Sequence, residues 1–134
     1  GVTGVQTCAL PIWGWLAAIE AAHADGFDYL DLLTAVDRPE RDEIEVVAVL
    51  LRTHDAALMT LRTSCDRSAP VVESISGIFP AATWSEREVA EMFGLEFVAL
   101  ADSRPLLLHG DGHPLRKDFE LVARAGLDPR GRGR

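Results

Sequence analysis

Residues 44–51 read IEVVAVLL. After Glu45 the stretch is apolar at every position, so both of its faces ask for cover, and its length is that of a strand rather than a helix. It belongs in the middle of a sheet. Upstream, residues 29–36 (YLDLLTAV) read as a second strand, with Asp37, Arg38 and Pro39 as the turn between the two. Downstream, Thr53, His54 and Asp55 form a loop. Residues 57–63 (ALMTLRT) then alternate, with Thr60 and Arg62 opposite Met59 and Leu61. That alternation predicts an antiparallel neighbour covered on one side.

Farther out, residues 13–24 are rich in alanine and place Leu16, Ile19 and Ala22 or His23 at helical spacing, with Gly26 as the C-terminal stop. His23 reads as a helix-end residue, because no Cys, His or carboxylate at metal-ligand spacing surrounds it. Residues 65–70 read as a polar loop, Val71 and Val72 as the start of a short strand, and residues 75–82 as helical on either side of Pro80. The expected fold is α+β: one domain with a small, mostly antiparallel sheet packed with helices, followed by an extended C-terminal strap. The expected divisions are residues 13–108 for the domain, 109–122 for the strap and 123–134 for a flexible basic tail.

The composition narrows the function. The chain has 134 residues, 48% of them hydrophobic, enough for one domain with a real core. It contains no apolar run long enough to cross a bilayer. A net charge of −8 argues against general nucleic-acid binding. The charge is uneven: from Arg104 onward seven basic and four acidic residues give +3, which leaves −11 for the rest. A basic tail on an acidic body suits an acidic partner, or simply solvent. The two cysteines, Cys8 and Cys65, are too few for an iron–sulfur cluster and form no CxxC pair, so a reducing setting is expected.

Residues 2–12 (VTGVQTCALPI) resemble the translation of a sequencing adapter and lack signal-peptide grammar. Residues 1–12, Cys8 included, are therefore set aside as non-native. The alternative is a genuine short strand ending at Pro11.

Residues 84–94 read WSEREVAEMFG. Ser85 as N-cap and Glu88 three positions on make a capping box, and Trp84 is placed to staple against Val89. Glu86 and Glu88 put negative charge at the positive end of the helix dipole, and Gly94 stops the helix. Val89, Met92 and Phe93 supply its buried face. Glu86 and Glu88 lie two apart and share no face, so they make a poor acid/base pair. Residues 113–119 read HPLRKDF. Pro114 holds His113 out of the helical region, Leu115 and Phe119 are the expected anchors, and Arg116, Lys117 and Asp118 present charge to a partner. A solvated strap closed by its own salt bridges is the plainer alternative. His109 and His113 flank a Gly110–Asp111–Gly112 turn that favours neither metal binding nor a nucleotide fingerprint.

Three blocks carry a family resemblance. Residues 24–37 (ADGFDYLDLLTAVD), 81–97 (AATWSEREVAEMFGLEF) and 112–121 (GHPLRKDFEL) resemble the thirty-kilodalton subunit of respiratory complex I. The second block matches that family's A-x-W-x-E-R-E-x-x-D-M-F-G-I-x-F, with Glu91 in place of its aspartate. The third matches its closing G-H-P-L-R-K-D-F/Y. Ala99, Leu100 and Ala101 stand where the family often reads Gly-His-Pro, and the loop over residues 108–112 is shorter than usual. The resemblance implies a scaffold subunit of the peripheral arm of a proton-translocating NADH:quinone oxidoreductase, with no catalytic, cofactor or metal residues of its own. It would sit at the cytoplasmic face of a bacterial cell membrane. Its partners would be the forty-nine-kilodalton quinone-site subunit and the terminal iron–sulfur subunit, while FMN, iron–sulfur clusters, NADH and quinone belong to other subunits. The residues it marks as motif and interface are Glu86, Arg87, Glu88, Phe93, Gly94, His113, Pro114, Leu115, Arg116, Lys117 and Asp118. Two other readings are the homologous subunit of an energy-converting membrane-bound nickel–iron hydrogenase, and an independent small enzyme using Glu86/Glu88 or His109/His113.

Overall fold

A four-stranded sheet organises the chain, in the order β1-β4-β3-β2. The strands are β1 (Val5–Leu10), β2 (Tyr29–Arg38), β3 (Glu43–Arg52) and β4 (Ala57–Asp66). The structure is a computed structural model and describes residues 5–104, 106 and 112–118. His109, Phe119 and the basic tail fall outside the described residues. As its sequence predicts, β3 is central, antiparallel to β2 and to β4. β1 runs parallel to β4. The segment set aside as non-native is thus an edge strand here, tied to β4 by a bond from Thr63 Oγ1 to the carbonyl of Leu10 at 3.1 Å.

Two helices cover one face of the sheet. α1 spans Trp15–Ala24, after a 3₁₀ turn at Ile12–Gly14, and buries Trp15, Ile19 and Ala22. They meet Leu33, Ala35, Ile44, Val46, Ala48, Leu50, Ala57 and Leu61 in one core. Complete burial of a side chain such as Ile19 contributes about 1.5–3 kcal/mol. α1 ends as Gly26 predicts: φ is +93° there. The Gly26 N–H reaches the His23 carbonyl and the Phe27 N–H reaches the Ala22 carbonyl, each at 3.1 Å. This is a Schellman closure, with Phe27 turned into the core.

α2 spans Ala82–Phe93 and begins a turn earlier than the capping box predicts. Ser85 lies inside the helix and caps nothing. Ala82, Glu86, Val89 and Phe93 form the buried stripe. Trp84 is 64% exposed, so it does not staple onto Val89. Packing decides the boundary: Ala82 is fully buried, and its place in the core outweighs the local capping chemistry. Residues 75–81 form turns rather than a helix before Pro80. β4 runs two residues into the stretch read as a polar loop, as far as Asp66, and Cys65 is buried in it. A two-stranded parallel sheet pairs β5 (Val71–Glu73) with β6 (Glu96–Val98) beside α2. Among the described residues no helix is long and apolar enough to cross a membrane.

Candidate functional site

The motif helix and the strap meet at the C-terminal end of α2. Gly94 adopts φ +71° there and closes the helix, its N–H bonded to the Ala90 carbonyl at 3.0 Å. The strap folds over this end. His113 Nδ1 lies 2.9 Å from the Glu91 carbonyl oxygen, and the Leu115 N–H donates to the Met92 carbonyl at 3.0 Å. Carbonyls that a helix end leaves without intrahelical partners are thereby satisfied. The Arg116 N–H closes a turn on the His113 carbonyl at 3.1 Å.

Beyond that turn the strap is fastened to the sheet by charge. Asp37 is 2% exposed, on the last turn-ward stretch of β2. Its carboxylate accepts Arg67 Nε at 2.6 Å, Arg67 Nη2 at 3.0 Å and the Lys117 backbone N–H at 2.8 Å. Arg67 Nη2 also lies 3.2 Å from Asp118, and Arg116 donates to the Arg67 carbonyl. The paired guanidinium holds the Asp37 carboxyl below the usual carboxylate range, and Asp37 in turn raises Arg67. The sequence pattern places Arg116 outward and Leu115 inward. Instead Arg116 is half-buried against the chain and Leu115 is 54% exposed. Polar contacts, not Leu115, hold the strap. Lys117 and Asp118 remain exposed, as does the His113 ring.

Glu86 is fully buried. It accepts the Ser74 hydroxyl at 2.6 Å and the Ile75 N–H at 2.7 Å, and it joins α2 to the turn after β5. Burial raises its pKa, while the two hydrogen bonds oppose that shift. A carboxyl sealed this way has no path to a substrate, and Glu88 points to solvent, so the two do not form an acid/base pair. Arg87 lies over the Trp84 ring at 5.2 Å, donates to the Arg104 carbonyl at 3.1 Å and pairs with Asp102 at 3.4 Å. Phe93 is core. Sequence reasoning missed Asp37 and Arg67. Asp37 had a signal, since it lies in phase with the buried Leu33 and Ala35; Arg67 had none locally. Among the described residues no group of three or more His, Cys, Asp or Glu side chains is placed to hold a metal ion.

The chain and its fold are similar to known proteins. Residues 12–125 match the profile of the respiratory-chain NADH dehydrogenase 30 Kd subunit. The chain belongs to that family. It is 41% identical to an NADH-quinone oxidoreductase subunit of Moorella thermoacetica, over 75% of this chain and 70% of that protein. It is 35% identical to an F(420)H(2) dehydrogenase subunit of Methanosarcina mazei, over 70% of this chain and 61% of that protein. With NADH dehydrogenase [ubiquinone] iron-sulfur protein 3 of Beta trigyna it shares 43% identity, over 71% of this chain and half of that relative's length. The same fold occurs in a trypsin-resistant fragment of Nqo5, with TM-score 0.65 and 24% identity over 72% of this chain and 80% of that one. It occurs again in a membrane-bound sulfane sulfur reductase, an archaeal respiratory membrane complex, with TM-score 0.76 and 23% identity over 90% and 75%.

Proposed function

We propose that the chain is a non-catalytic scaffold subunit in the peripheral arm of a proton-translocating NADH:quinone oxidoreductase. Its role is to hold the quinone-site subunit and the terminal iron–sulfur subunit in fixed geometry at the cytoplasmic face of the bacterial membrane. Family membership carries this reading. The way the family's motif residues are used supports it: Glu86 ties a turn to a helix, Gly94 ends that helix, and His113 through Asp118 fasten the strap. These are contacts that fix shape, and the redox groups, FMN, iron–sulfur clusters, NADH and quinone, are assigned to the other subunits. Residues 1–12 are read as non-native on the resemblance of residues 2–12 to a translated sequencing adapter. Resequencing the locus tests that point.

The experiment is co-isolation. Tagged chain expressed in its own host should bring down the quinone-site and iron–sulfur subunits, and the isolated assembly should reduce quinone with NADH. An assembly that carries a hydrogenase large subunit and evolves hydrogen would move the chain to an energy-converting nickel–iron hydrogenase. An assembly oxidising reduced F420 would follow the archaeal relative instead. Turnover of a substrate by the chain alone would overturn the scaffold reading.

A further inference from the structure

We propose that the sheet face turned away from the helices docks another subunit, one that lays an apolar row across Leu32, Val49, Leu51 and Leu58 and sets a carboxylate against Arg38 and Arg62. The inference rests on the scaffold reading and assigns the surface that reading leaves open. The strand registers place Leu32 beside Val49, and Leu51 beside Leu58. All four point away from the core formed by Leu33, Ile44, Val46, Ala48, Leu50 and Leu61, and none belongs to it. α1 and α2 both pack their buried side chains into that core, so among the described residues no helix lies over the opposite face.

A sheet with one wet face reads polar on that face. β3 does not: it presents Val47, Val49 and Leu51 there. Leu32 on edge strand β2 is 48% exposed, and Val49, Leu51 and Leu58 are half-buried. The central strand is thus built for cover that neither described helix provides.

One end of this face identifies the chemistry of the cover. Glu45 receives Arg62 Nη1 at 3.3 Å and lies 3.7 Å from Arg38 Nη2, so two guanidiniums share one carboxylate. The Nε–H of each arginine is shielded from water and has no acceptor. Glu43 and Asp66 lie farther toward the rim, and Asp66 is engaged by Ser68. The two arginine side chains are still 34% and 43% exposed, so a carboxylate arriving with the partner would pair with their accessible guanidinium nitrogens and balance the surplus charge of the triad. Arginine at the edge of an apolar patch is the usual composition of an interface between proteins.

Hydroxyl-radical footprinting of the full chain, free and within the complex isolated from membranes, tests the surface. Leu32, Val36 and Leu58 should lose at least several-fold in reactivity on assembly. The double variant L32D/T60E should melt as the wild type does, yet co-isolate with partner subunits at least tenfold less. R38Q/R62Q should also lose assembly, and R38K/R62K should recover part of it by restoring charge. A complex in which this face stays reactive, or in which L32D/T60E assembles in normal yield, overturns the proposal. Concentration-dependent protection of the face in the free chain would make a second copy the occupant and overturn it too. Wild-type chain that enters no dehydrogenase complex would instead sink the scaffold reading itself.

Discussion

The backbone of Gly94 lies directly against the imidazole of His113: a Cβ built on Gly94 would stand 2.7 Å from His113 Cδ2 and 2.8 Å from Nε2. The end of α2 and the strap therefore meet at one point. The glycine is needed for its φ of +71° and also for the space that the strap's histidine fills.

Gly94→Ala should accordingly cost about 1–2 kcal/mol for the left-handed backbone, and more because the His113 ring must leave its hydrogen bond to Glu91. In a Gly94→Ala/His113→Ala cycle the two losses should be less than additive, because the second removes the collision. Denaturant melts of the four proteins measure this, and strict additivity would show that the ring moves aside freely.

Glu86→Gln keeps an acceptor for the Ile75 N–H and a partner for Ser74, whereas Glu86→Ala orphans that buried N–H at a cost of about 1–3 kcal/mol. Burial raises the folded pKa of Glu86 above its unfolded value. Its contribution is therefore fully present below the unfolded pKa of about 4.3, and it is lost as pH rises through the higher folded value. Glu86→Gln should thus match wild type in acid and equal or exceed it at neutral pH. Melting curves of both variants across pH 4–8 show whether the curves part in that direction.

Asp37 behaves with the opposite sign. Its folded pKa is depressed, first by Arg67 and then by the Lys117 amide, so its contribution stands above the unfolded pKa of about 3.9 and disappears as pH falls through the folded value. Arg67→Ala strands this buried carboxylate and should cost about 3 kcal/mol, the low end for a broken buried pair, because Arg67 is partly exposed. Exchange of the Lys117 amide should accelerate in the same variant. An amide exchanging at the wild-type rate would mean that the strap is held elsewhere.

Ala99 has φ +67°, in the left-handed region that favours glycine. Ala99→Gly should therefore stabilise the domain by about 0.5–1 kcal/mol, the αL penalty less the entropy that glycine loses. Ser85→Ala, inside α2 rather than at its cap, should change stability by no more than about 0.5 kcal/mol, in the stabilising direction. A loss of about 1 kcal/mol at Ser85 would restore the capping box.

The sheet was legible because its signals are local. β3 is apolar in both phases, β4 alternates, and Gly26 and Gly94 mark stops that the backbone then takes at positive φ. What failed was local chemistry overruled by packing. Ser85 and Glu88 make a well-formed capping box, yet the burial of Ala82 starts the helix earlier. The helical phase running from Ala82 through Val89 to Phe93 contains Glu86 and could have marked it as interior. Arg67 was beyond reach, because its carboxylate partner lies 30 residues away and nothing near it in sequence requires one. The second face was half visible: apolar residues in both phases of β3 announced two covers, and the described helices supply one.

The contact between the Lys117 amide and Asp37 spans 80 residues. On a ribosome adding about 5–20 residues per second, β2 emerges roughly 4–16 s before the segment that completes its carboxylate's hydrogen bonds. The sheet and its helices can associate in that interval, with the end of α2 still open. Among the described residues, closure of the strap is then a late long-range event of folding. A nascent chain released early would leave the end of α2 and the Asp37–Arg67 pair uncovered, an incompleteness that quality control can sense before any partner subunit arrives.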